Sequence, residues 1–381
     1  MQTTTTGATP QAPQGNVENT VLGGNRLPLV LAATALWMLA LPATAQPVYK
    51  AEHGGTFLRF VDKAEAGKPR STPPMLSLSF GGEPVHAVMD TGSTGIVVAA
   101  TAIPGIDALR QIGPGTLTYS SSGRIMRGRW VETPVSIGGA NGASVTTKPL
   151  PVLAVERIDC FENARDCQPT DAPRHVAMMG IGFARESDHQ GQSTPDKNPF
   201  LNLPSMGTME APGPLRRGYV VTRDGVHVGL TAANTRGDYR FIKLARASDG
   251  RDWAPLPACI AVERGAPACG TALIDTGVSI MYLTLPPDRE AGRIASAAGG
   301  RTLAAGTRLS IGFGEAGAPP TGYDFAAGDA GDPAAPGRIV LVEGTNRPTF
   351  VNTSVHALNV LDYLFDADGG YVGFRRIKPP A

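Results

Sequence analysis

The chain carries two copies of one short motif, in which an apolar run is followed by a single aspartate and then by Thr-Gly. The copies are AVMDTGST at residues 87–94 and ALIDTGVS at residues 272–279. Such a run is typical of a buried strand, and the glycine after it permits a sharp turn and a close approach by another group. Because a buried charge needs a partner, the repeat predicts that Asp90 and Asp275 lie together and that the chain forms two similar lobes around them.

The length of the chain fits a division into two lobes. The 381 residues are enough for two domains, and the aspartates are 185 positions apart (275 minus 90), which is about one domain length. Glycine and proline are frequent (47 and 33 residues) and the apolar runs between them are short, so a mostly β protein with many turns is expected. We predict a lead-in segment over residues 46–73, a first lobe over 74–215 and a second lobe over 216–377.

The charge of the chain argues against one class of partner. The formal net charge is +1, and no block of lysine or arginine stands out along the sequence. Nucleic acid is therefore not expected as a partner, because its binding depends on a basic patch.

The N-terminal residues have the pattern of an export signal. Arg26 precedes an apolar stretch at residues 27–41, and PATA at residues 42–45 matches a cleavage site of the A-x-A type. Residues 1–45 are therefore predicted to be a signal peptide, with the mature chain beginning near Gln46. The alternative is an uncleaved membrane anchor, because the apolar stretch approaches spanning length, and only then is a membrane a partner. Either way, export to the periplasm or out of the cell is expected.

The four cysteines form two close pairs, one in each expected lobe: Cys160 with Cys167, and Cys259 with Cys269. In an oxidising compartment the simplest connectivity is two local disulfides, each of which closes a loop. On a chain-entropy model each contributes on the order of 2–3 kcal/mol. A zinc site is the alternative, but neither spacing is C-x-x-C and the six histidines are scattered, so no metal is expected.

Several local patterns predict particular elements. Residues 115–130 suggest two strands joined by a Ser/Gly tip, and Tyr119 stands where the tip begins. Such a hairpin can overhang a cleft; an ordinary strand aromatic is the alternative for Tyr119, and the Ser/Gly tip that follows favours the overhanging hairpin. Further along, we predict a helix over residues 289–298, a long surface loop over 314–337 and a hairpin over 360–374 that turns at Asp-Gly-Gly.

These motifs resemble the pepsin-like, bilobal aspartic peptidases, in an exported bacterial form. The resemblance covers residues 75–374, and its motifs stand in the family's order and near its spacing. They are the two D-T-G triplets at Asp90 and Asp275, the hairpin with Tyr119, the apolar-apolar-Gly element Met178-Met179-Gly180, and the C-terminal hairpin with Phe365, Val372 and Gly373. One D-T-G triplet is weak evidence, because three residues recur easily by chance. Two triplets half a chain apart, each after an apolar run, are strong evidence.

The resemblance implies a fold and an activity. The fold is mainly β, with two pseudo-symmetric β-barrel-like lobes, a cleft between them and few short helices. The activity is that of an aspartic endopeptidase acting on peptides or unfolded protein, without a cofactor and as a monomer. Asp90 and Asp275 would be catalytic and hold a water between them, and Tyr119 would cover the substrate as a flap.

The resemblance also assigns supporting residues around the two aspartates. They are Thr91, Gly92, Ser93, Thr276, Gly277 and Ser279. Thr91 and Thr276 would hydrogen bond across the lobe interface, and Ser93 would donate to Asp90. For either aspartate alone a turn or N-cap role is the usual explanation, and the pairing of the two motifs argues against it.

Physical chemistry explains why two such carboxylates are useful. Two full charges about 3 Å apart at an effective dielectric near 20 repel by roughly 5 kcal/mol, which corresponds to about four pKa units. Only one proton is therefore lost easily. The charged carboxylate can act as general base on a water while the protonated one donates to the scissile carbonyl. The proton belongs to the coupled pair, and the sequence does not assign it to either residue.

The chain departs from the family pattern at three places. Many relatives have a hydroxyl three residues after the second aspartate, where this chain has Val278, so we expect a missing hydrogen bond, raised pKa values of the pair and activity toward near-neutral pH. The tryptophan that supports the flap tyrosine is absent, with Val97 near its place and Trp130 as a candidate substitute. The second apolar-apolar-Gly element is expected at residues 350–352, where Asn352 replaces glycine.

A second function from another class stays open on sequence grounds. The chain could be a catalytically silent pepsin-like protein that binds a protein or glycan in the cleft. The two intact D-T-G triplets favour the enzyme, because a binding protein has no need of two desolvated carboxylates.

Overall fold

A computed structural model describes residues 46–377 except 51–52, 63–67, 120–121, 163, 165–166, 291–293, 298–299, 316, 318–320 and 343–346. The predicted signal peptide, residues 1–45, lies outside the described residues. In the part that is described, no helix is long and apolar enough to cross a membrane.

The described residues are mainly in strands. In chain order the first strands are β1 (Thr56–Arg59), β2 (Met75–Ser79), β3 (Val85–Asp90), β4 (Thr94–Ala99), β5 (Arg110–Tyr119), β6 (Arg124–Thr133), β7 (Ser136–Gly138), β8 (Ser144–Thr146), β9 (Leu150–Cys160), β10 (Ala177–Ile181), β11 (Arg216–Val221) and β12 (Gly225–Leu230). They continue with β13 (Arg240–Lys243), β14 (Leu256–Val262), β15 (Ala268–Leu273), β16 (Met281–Thr284), β17 (Ile294–Ala297), β18 (Gly300–Leu303), β19 (Arg308–Phe313), β20 (Thr321–Ala326), β21 (Ile339–Leu341), β22 (Phe350–Asn352), β23 (Leu361–Asp366) and β24 (Tyr371–Arg376).

Helices are few and short among these residues. They comprise one α-helical turn, α1 (Pro287–Glu290), and the 3-10 helices Ala100–Ala102, Ile106–Ala108, Glu186–Asp188, Pro195–Lys197, Pro199–Leu201 and Val355–Asn359.

Two nine-stranded sheets have the same topology. The first has the order β5-β6-β9-β4-β10-β3-β2-β7-β8, and the second has β17-β18-β21-β16-β22-β15-β14-β19-β20. Read position by position, each strand of the first sheet has a counterpart in the second. Both sheets contain parallel pairs at equivalent places: β10 with β3 and β22 with β15. The prediction of a mainly β protein with two similar halves is confirmed.

A third sheet of six strands has the order β1-β12-β11-β23-β24-β13. Its strand β1 lies within the polar residues 46–73, which the sequence indicated only as a lead-in segment. β1 pairs antiparallel with β12, from Thr56 opposite Val228 to Arg59 opposite Gly225. The lead-in segment is thus a structural part of the sheet.

The strands that carry the aspartates form in the buried core. β2 alternates half-buried and buried residues, as expected of a strand with one face on the core, whereas every residue of β4 is buried. Leu76, Met89 and Ile96 are completely buried. The apolar run before Asp90 lies in β3, which pairs with β2 on one side and with β10 on the other.

Two predicted elements are wrong. The helix expected at residues 289–298 is limited to α1, which ends at Glu290, and Ile294 begins β17, which pairs antiparallel with β18; residues 291–293 and 298 lie outside the described residues. Glycines at positions 292, 299 and 300 weaken a helix there, and pairing with the sheet outweighs the local helix propensity. The expected surface loop at 314–337 contains β20, which pairs with β19.

Candidate active site

The two aspartates lie at the ends of equivalent strands. β3 ends at Asp90, and Asp275 follows two residues after the end of β15. Both are buried, with 6% and 7% of their surface exposed. Both aspartates therefore come at the end of a strand, as predicted, although β3 and β15 are only partly buried.

The glycines after the aspartates show that the two loops meet. A Cβ added to Gly92 would lie 2.3 Å from Cγ of Asp275, and a Cβ added to Gly277 would lie 2.5 Å from Cγ of Asp90. Each glycine therefore packs against the carboxylate of the opposite motif. Only a residue without a side chain fits at either position, which explains the repeated Thr-Gly in physical terms.

The threonines between aspartate and glycine lock the loops together. The backbone N–H of Thr91 donates to Oγ1 of Thr276 and the backbone N–H of Thr276 donates to Oγ1 of Thr91, both over 3.0 Å. Both side chains are buried. The structure places Thr91 and Thr276 as the resemblance implied, with reciprocal hydrogen bonds across the interface.

Within the described residues, each carboxylate accepts two hydrogen bonds from neighbouring donors. The Gly92 N–H donates to Oδ1 of Asp90 over 2.6 Å, and the Ser93 hydroxyl donates to Oδ2 over 2.6 Å. The Gly277 N–H donates to Oδ1 of Asp275 over 2.9 Å. The fourth bond comes from outside the motifs, because Nδ2 of Asn352 donates to Oδ2 of Asp275 over 2.5 Å.

The expectation that Asp275 lacks a hydrogen bond, which was based on Val278, is wrong. Valine indeed offers no donor, but the hydrogen bond to the second aspartate is not missing, since the Asn352 amide supplies it. Burial and the charge of Asp90 raise the pKa of Asp275 to about 8, while the donors Asn352 and Gly277 act in the opposite direction. The direction expected for the pKa agrees, but its cause is burial and a like charge and not the loss of a donor.

The strand register also corrects the role expected for residues 350–352. Met178 lies opposite Val97, seven residues after Asp90 (97 minus 90), and Asn352 lies opposite Tyr282, seven residues after Asp275 (282 minus 275). Asn352 is therefore the counterpart of Met178 and does not replace the glycine.

The counterpart of Gly180, two residues further on, is Ser354. Gly180 pairs with Asp90, and a Cβ there would lie 2.5 Å from the backbone nitrogen of Thr94. Ser354 has a φ of +59°, in the left-handed region that non-glycine residues rarely adopt. The unusual backbone angle is therefore found at Ser354. The sequence analysis had expected the glycine-like position at Asn352.

Tyr119 is the last residue of β5, in the hairpin that β5 forms with β6. Its hydroxyl donates to Sδ of Met178 over 2.5 Å. Burial, Asp90 and Asp275 all raise the pKa of Tyr119, so the phenol stays neutral and lies within electrostatic reach of both aspartates. Tip residues 120–121 lie outside the described residues. The structure therefore brings Tyr119 to the site, with a partner that the sequence did not reveal.

An apolar cluster supports this tyrosine. Val97 and Trp130 belong to one cluster, and Tyr119 packs against it. Trp130 is thus in a position to contribute to the support that the family's missing tryptophan gives, while the hydroxyl partner of Tyr119 is the Met178 sulfur.

Both disulfides predicted from the cysteine spacing are present, Cys160–Cys167 and Cys259–Cys269. The second joins residues directly opposite each other in β14 and β15, the strand that leads to Asp275. The first closes a loop against the hairpin tip, because the N–H of Phe161 donates to the carbonyl of Gly123 over 2.7 Å. One disulfide therefore closes the loop next to the Tyr119 hairpin, and the other joins the strand that leads to Asp275 to its neighbour.

Ser279 takes no part in the hydrogen bonds described above. It is exposed, and no side-chain hydrogen bond joins it to a carboxylate within the described part of the chain. In that same part, no group of acidic, histidine or cysteine side chains could hold a metal ion.

A cavity of about 540 Å³ is lined from both halves of the chain. Thr91, Phe183 and Asp188 contribute from the first half, and Leu273 and Phe350 from the second. Asp90, Asp275 and Tyr119 are not among its lining residues, so this cavity is separate from the carboxylate pair.

Comparison with known proteins supports the fold. No protein-family model matches the chain, and no curated protein sequence matches it. Among solved structures, the crystal structure of an aspartic proteinase from Irpex lacteus is similar with a TM-score of 0.53 at 12% sequence identity, covering 85% of this chain and 98% of that one. At this identity the likeness shows the fold, which is the bilobal pepsin-like fold of aspartic proteinases.

Proposed function

We propose that this chain is an exported aspartic endopeptidase that hydrolyses peptide bonds with a water activated between Asp90 and Asp275. The observation that carries the proposal is the crosswise packing of Gly92 and Gly277 on the opposite carboxylates. Two buried acids in contact are costly to folding, and a structural role does not require them.

The chemistry follows from the electrostatics of the pair. Because burial and Asp90 raise the pKa of Asp275 to about 8, the pair holds one proton and one negative charge in weakly acidic solution. The charged carboxylate takes a proton from water as the water attacks the carbonyl carbon of the peptide. The protonated carboxyl gives its proton to the carbonyl oxygen. The carboxyl that took the water proton then gives it to the leaving nitrogen. As the C–N bond breaks, a hydroxyl of the tetrahedral intermediate returns its proton to the other carboxylate, so the pair again holds one proton.

Tyr119 is proposed to hold the substrate over the carboxylate pair. The neutral phenol lies beside the pair at the end of a hairpin, where it can cover an extended peptide and exclude water. The proposed substrate is therefore a peptide or unfolded protein, bound by a monomeric enzyme that needs no cofactor and no nucleic acid.

The two disulfides support the exported part of the proposal, because such bonds persist in oxidising compartments. Residues 1–45 are proposed to direct export and then to be removed. A membrane is a partner only if that segment stays attached.

The proposal is tested by incubating the purified chain from Gln46 onward with unfolded protein from about pH 3 to 8, the range in which a coupled carboxylate pair titrates. We expect cleavage that a statine-type transition-state mimic inhibits and that Asp90→Asn abolishes. Cleavage unaffected by both would contradict the proposal. Tight binding of the mimic without cleavage would instead favour a catalytically silent binding protein.

A further inference from the structure

The two aspartates receive their outer hydrogen bonds from different chemical groups. Ser93, three residues after Asp90, donates a hydroxyl to Oδ2 of Asp90. The corresponding position after Asp275 is Val278, which has no donor, and Oδ2 of Asp275 is instead bonded to the amide of Asn352. The two halves of the site therefore match in hydrogen-bond number but not in chemistry.

We propose that Asn352 is a positioning residue of the site, which replaces the hydroxyl absent at Val278 and favours the unprotonated form of Oδ2 of Asp275. The inference deepens the proposed hydrolase and rests on it. It concerns a residue that acts through Asp275 and not on the substrate.

The surroundings of Asn352 fix the orientation of its amide. Its Oδ1 accepts the backbone N–H of Ser354 over 3.1 Å, and its Nδ2 faces the carboxylate. A flipped amide would point its oxygen at a carboxylate oxygen and its NH2 group at an N–H donor, so both bonds would be lost. Asn352 is only 8% exposed and Ser354 is fully buried, so water does not compensate for such a flip.

This orientation has a consequence for the proton of the pair. An amide NH2 group can only donate, whereas a hydroxyl can donate or accept. Oδ2 of Asp90 can therefore carry a proton and donate it to Ser93. A protonated Oδ2 of Asp275 would have to point its proton away from the amide and would be a weaker acceptor for Asn352. The amide therefore disfavours a proton on Oδ2 of Asp275, whereas Ser93 imposes no such preference on Oδ2 of Asp90.

The other ionisable groups near Asp275 do not supply this effect. Asp90 faces it from the first motif, and Tyr119 interacts with it from the hairpin. Two further groups act indirectly, since Arg124 in β6 interacts with Tyr119 and Asp188 interacts with Asp90. Asp90 opposes ionisation of Asp275, and neutral Tyr119 provides no positive charge.

The decisive variant is Asn352→Leu, which keeps the size of the side chain and removes the donor. The hydrogen bond favours the charged form of Asp275, so its loss is expected to move the alkaline limb of the pH–rate profile upward by about one pH unit. The double variant Val278→Thr with Asn352→Leu restores a donor three residues after Asp275. It is expected to return the limb most of the way to its original position.

Asn359→Leu is the matched control. Asn359 is similarly buried at 7% exposure, and its amide binds the backbone of Arg70 and Pro333 instead of a carboxylate. Asn359→Leu is expected to lower the melting temperature and to leave the alkaline limb of the pH–rate profile unchanged. A limb that does not move in Asn352→Leu, or that moves equally in Asn359→Leu, would overturn the inference.

A direct titration separates this inference from the proposed activity. The carboxyl carbon of Asp275, assigned with Asp275→Asn, is followed by ¹³C NMR against pH in the original chain and in Asn352→Leu, with Asn352→Ala as the second variant if the leucine form does not fold. An upward shift of the Asp275 titration supports the inference even if no substrate is cleaved. An unchanged titration contradicts it even if the chain is a protease.

Discussion

Thr91 and Thr276 hold each other in place: each donates its backbone N–H to the hydroxyl of the other over 3.0 Å. Each hydroxyl then donates across the interface to a carbonyl oxygen just before the opposite aspartate, Thr91 to Ile274 over 2.6 Å and Thr276 to Met89 over 2.7 Å. Neither aspartate loop can move without breaking bonds to the other. The geometry of the carboxylate pair is thus fixed by the backbone and not by the carboxylates alone.

The first prediction concerns this exchange. Thr276→Val keeps the shape of the side chain but leaves the buried N–H of Thr91 and carbonyl of Met89 without their partners. Each such group costs about 1–3 kcal/mol, so we expect a loss of about 2–4 kcal/mol in the free energy of unfolding. Urea unfolding measures this loss. Thr276→Ser keeps the hydroxyl and should cost less than half as much; an equal loss in both variants would show that packing, and not hydrogen bonding, is responsible.

The second prediction concerns the glycines that follow the threonines. Gly277→Ala forces a methyl group against Cγ of Asp90, at 2.5 Å. A displacement of the carboxylate by about 1 Å is expected to lower kcat about a hundredfold. Gly337→Ala is the control, because its added Cβ would meet nothing within 4 Å. Equal kcat values for the two variants would argue against the crosswise packing.

Sequence reasoning could predict these features because they depend on local patterns. The D-T-G triplets, the apolar runs before them and the close cysteine pairs each specify a strand end or a closed loop. The partner of Asp275 could not be found in this way, since Asn352 reaches it through a parallel pairing of β22 with β15, far along the chain. A polar residue in an otherwise apolar strand was the available signal, but its alignment with Met178 depends on strand pairings that the sequence does not show.

The helix expected at residues 289–298 failed for a related reason. Its alanines favour a helix, but the strand pairing of Ile294 with Leu303 depends on a sheet that local propensity does not reveal. Where the outcome depends on tertiary pairing, sequence pattern alone is a weak guide.

The third prediction is a dependence of stability on pH. The pKa of Asp275 is raised from its usual value to about 8, so between about pH 4 and 8 the folded state binds more protons at this site than the unfolded state. The contribution of this carboxyl to stability is complete below about pH 4 and is lost as the pH rises through 8, at up to about 1.4 kcal/mol per pH unit. Asp275→Asn should remove this slope in unfolding experiments across that range. A slope that persists unchanged would mean that Asp275 is ionised in the folded protein at neutral pH.

The fourth prediction separates the two disulfides. Cys160–Cys167 closes the loop that binds the hairpin tip at Gly123, whereas Cys259–Cys269 ties β14 to β15. Replacing both cysteines of either pair by serine should cost about 2–3 kcal/mol of stability. Only the loss of Cys160–Cys167 is expected also to raise KM, by loosening the hairpin that carries Tyr119. Peptide hydrolysis measured well below both melting temperatures tests this; a KM increase confined to the Cys259–Cys269 variant would contradict it.

Isotope incorporation tests most directly whether a water between Asp90 and Asp275 attacks the peptide bond. An unfolded protein is digested in water enriched in ¹⁸O at weakly acidic pH, beside the Asp90→Asn and Asp275→Asn variants, and the peptides are weighed by mass spectrometry. We expect new C-termini that carry one ¹⁸O atom in the digest by the unaltered chain, and none with either variant. Cleavage that persists in both variants, or no cleavage by the unaltered chain at any pH from 3 to 8, would contradict a water-activating carboxylate pair.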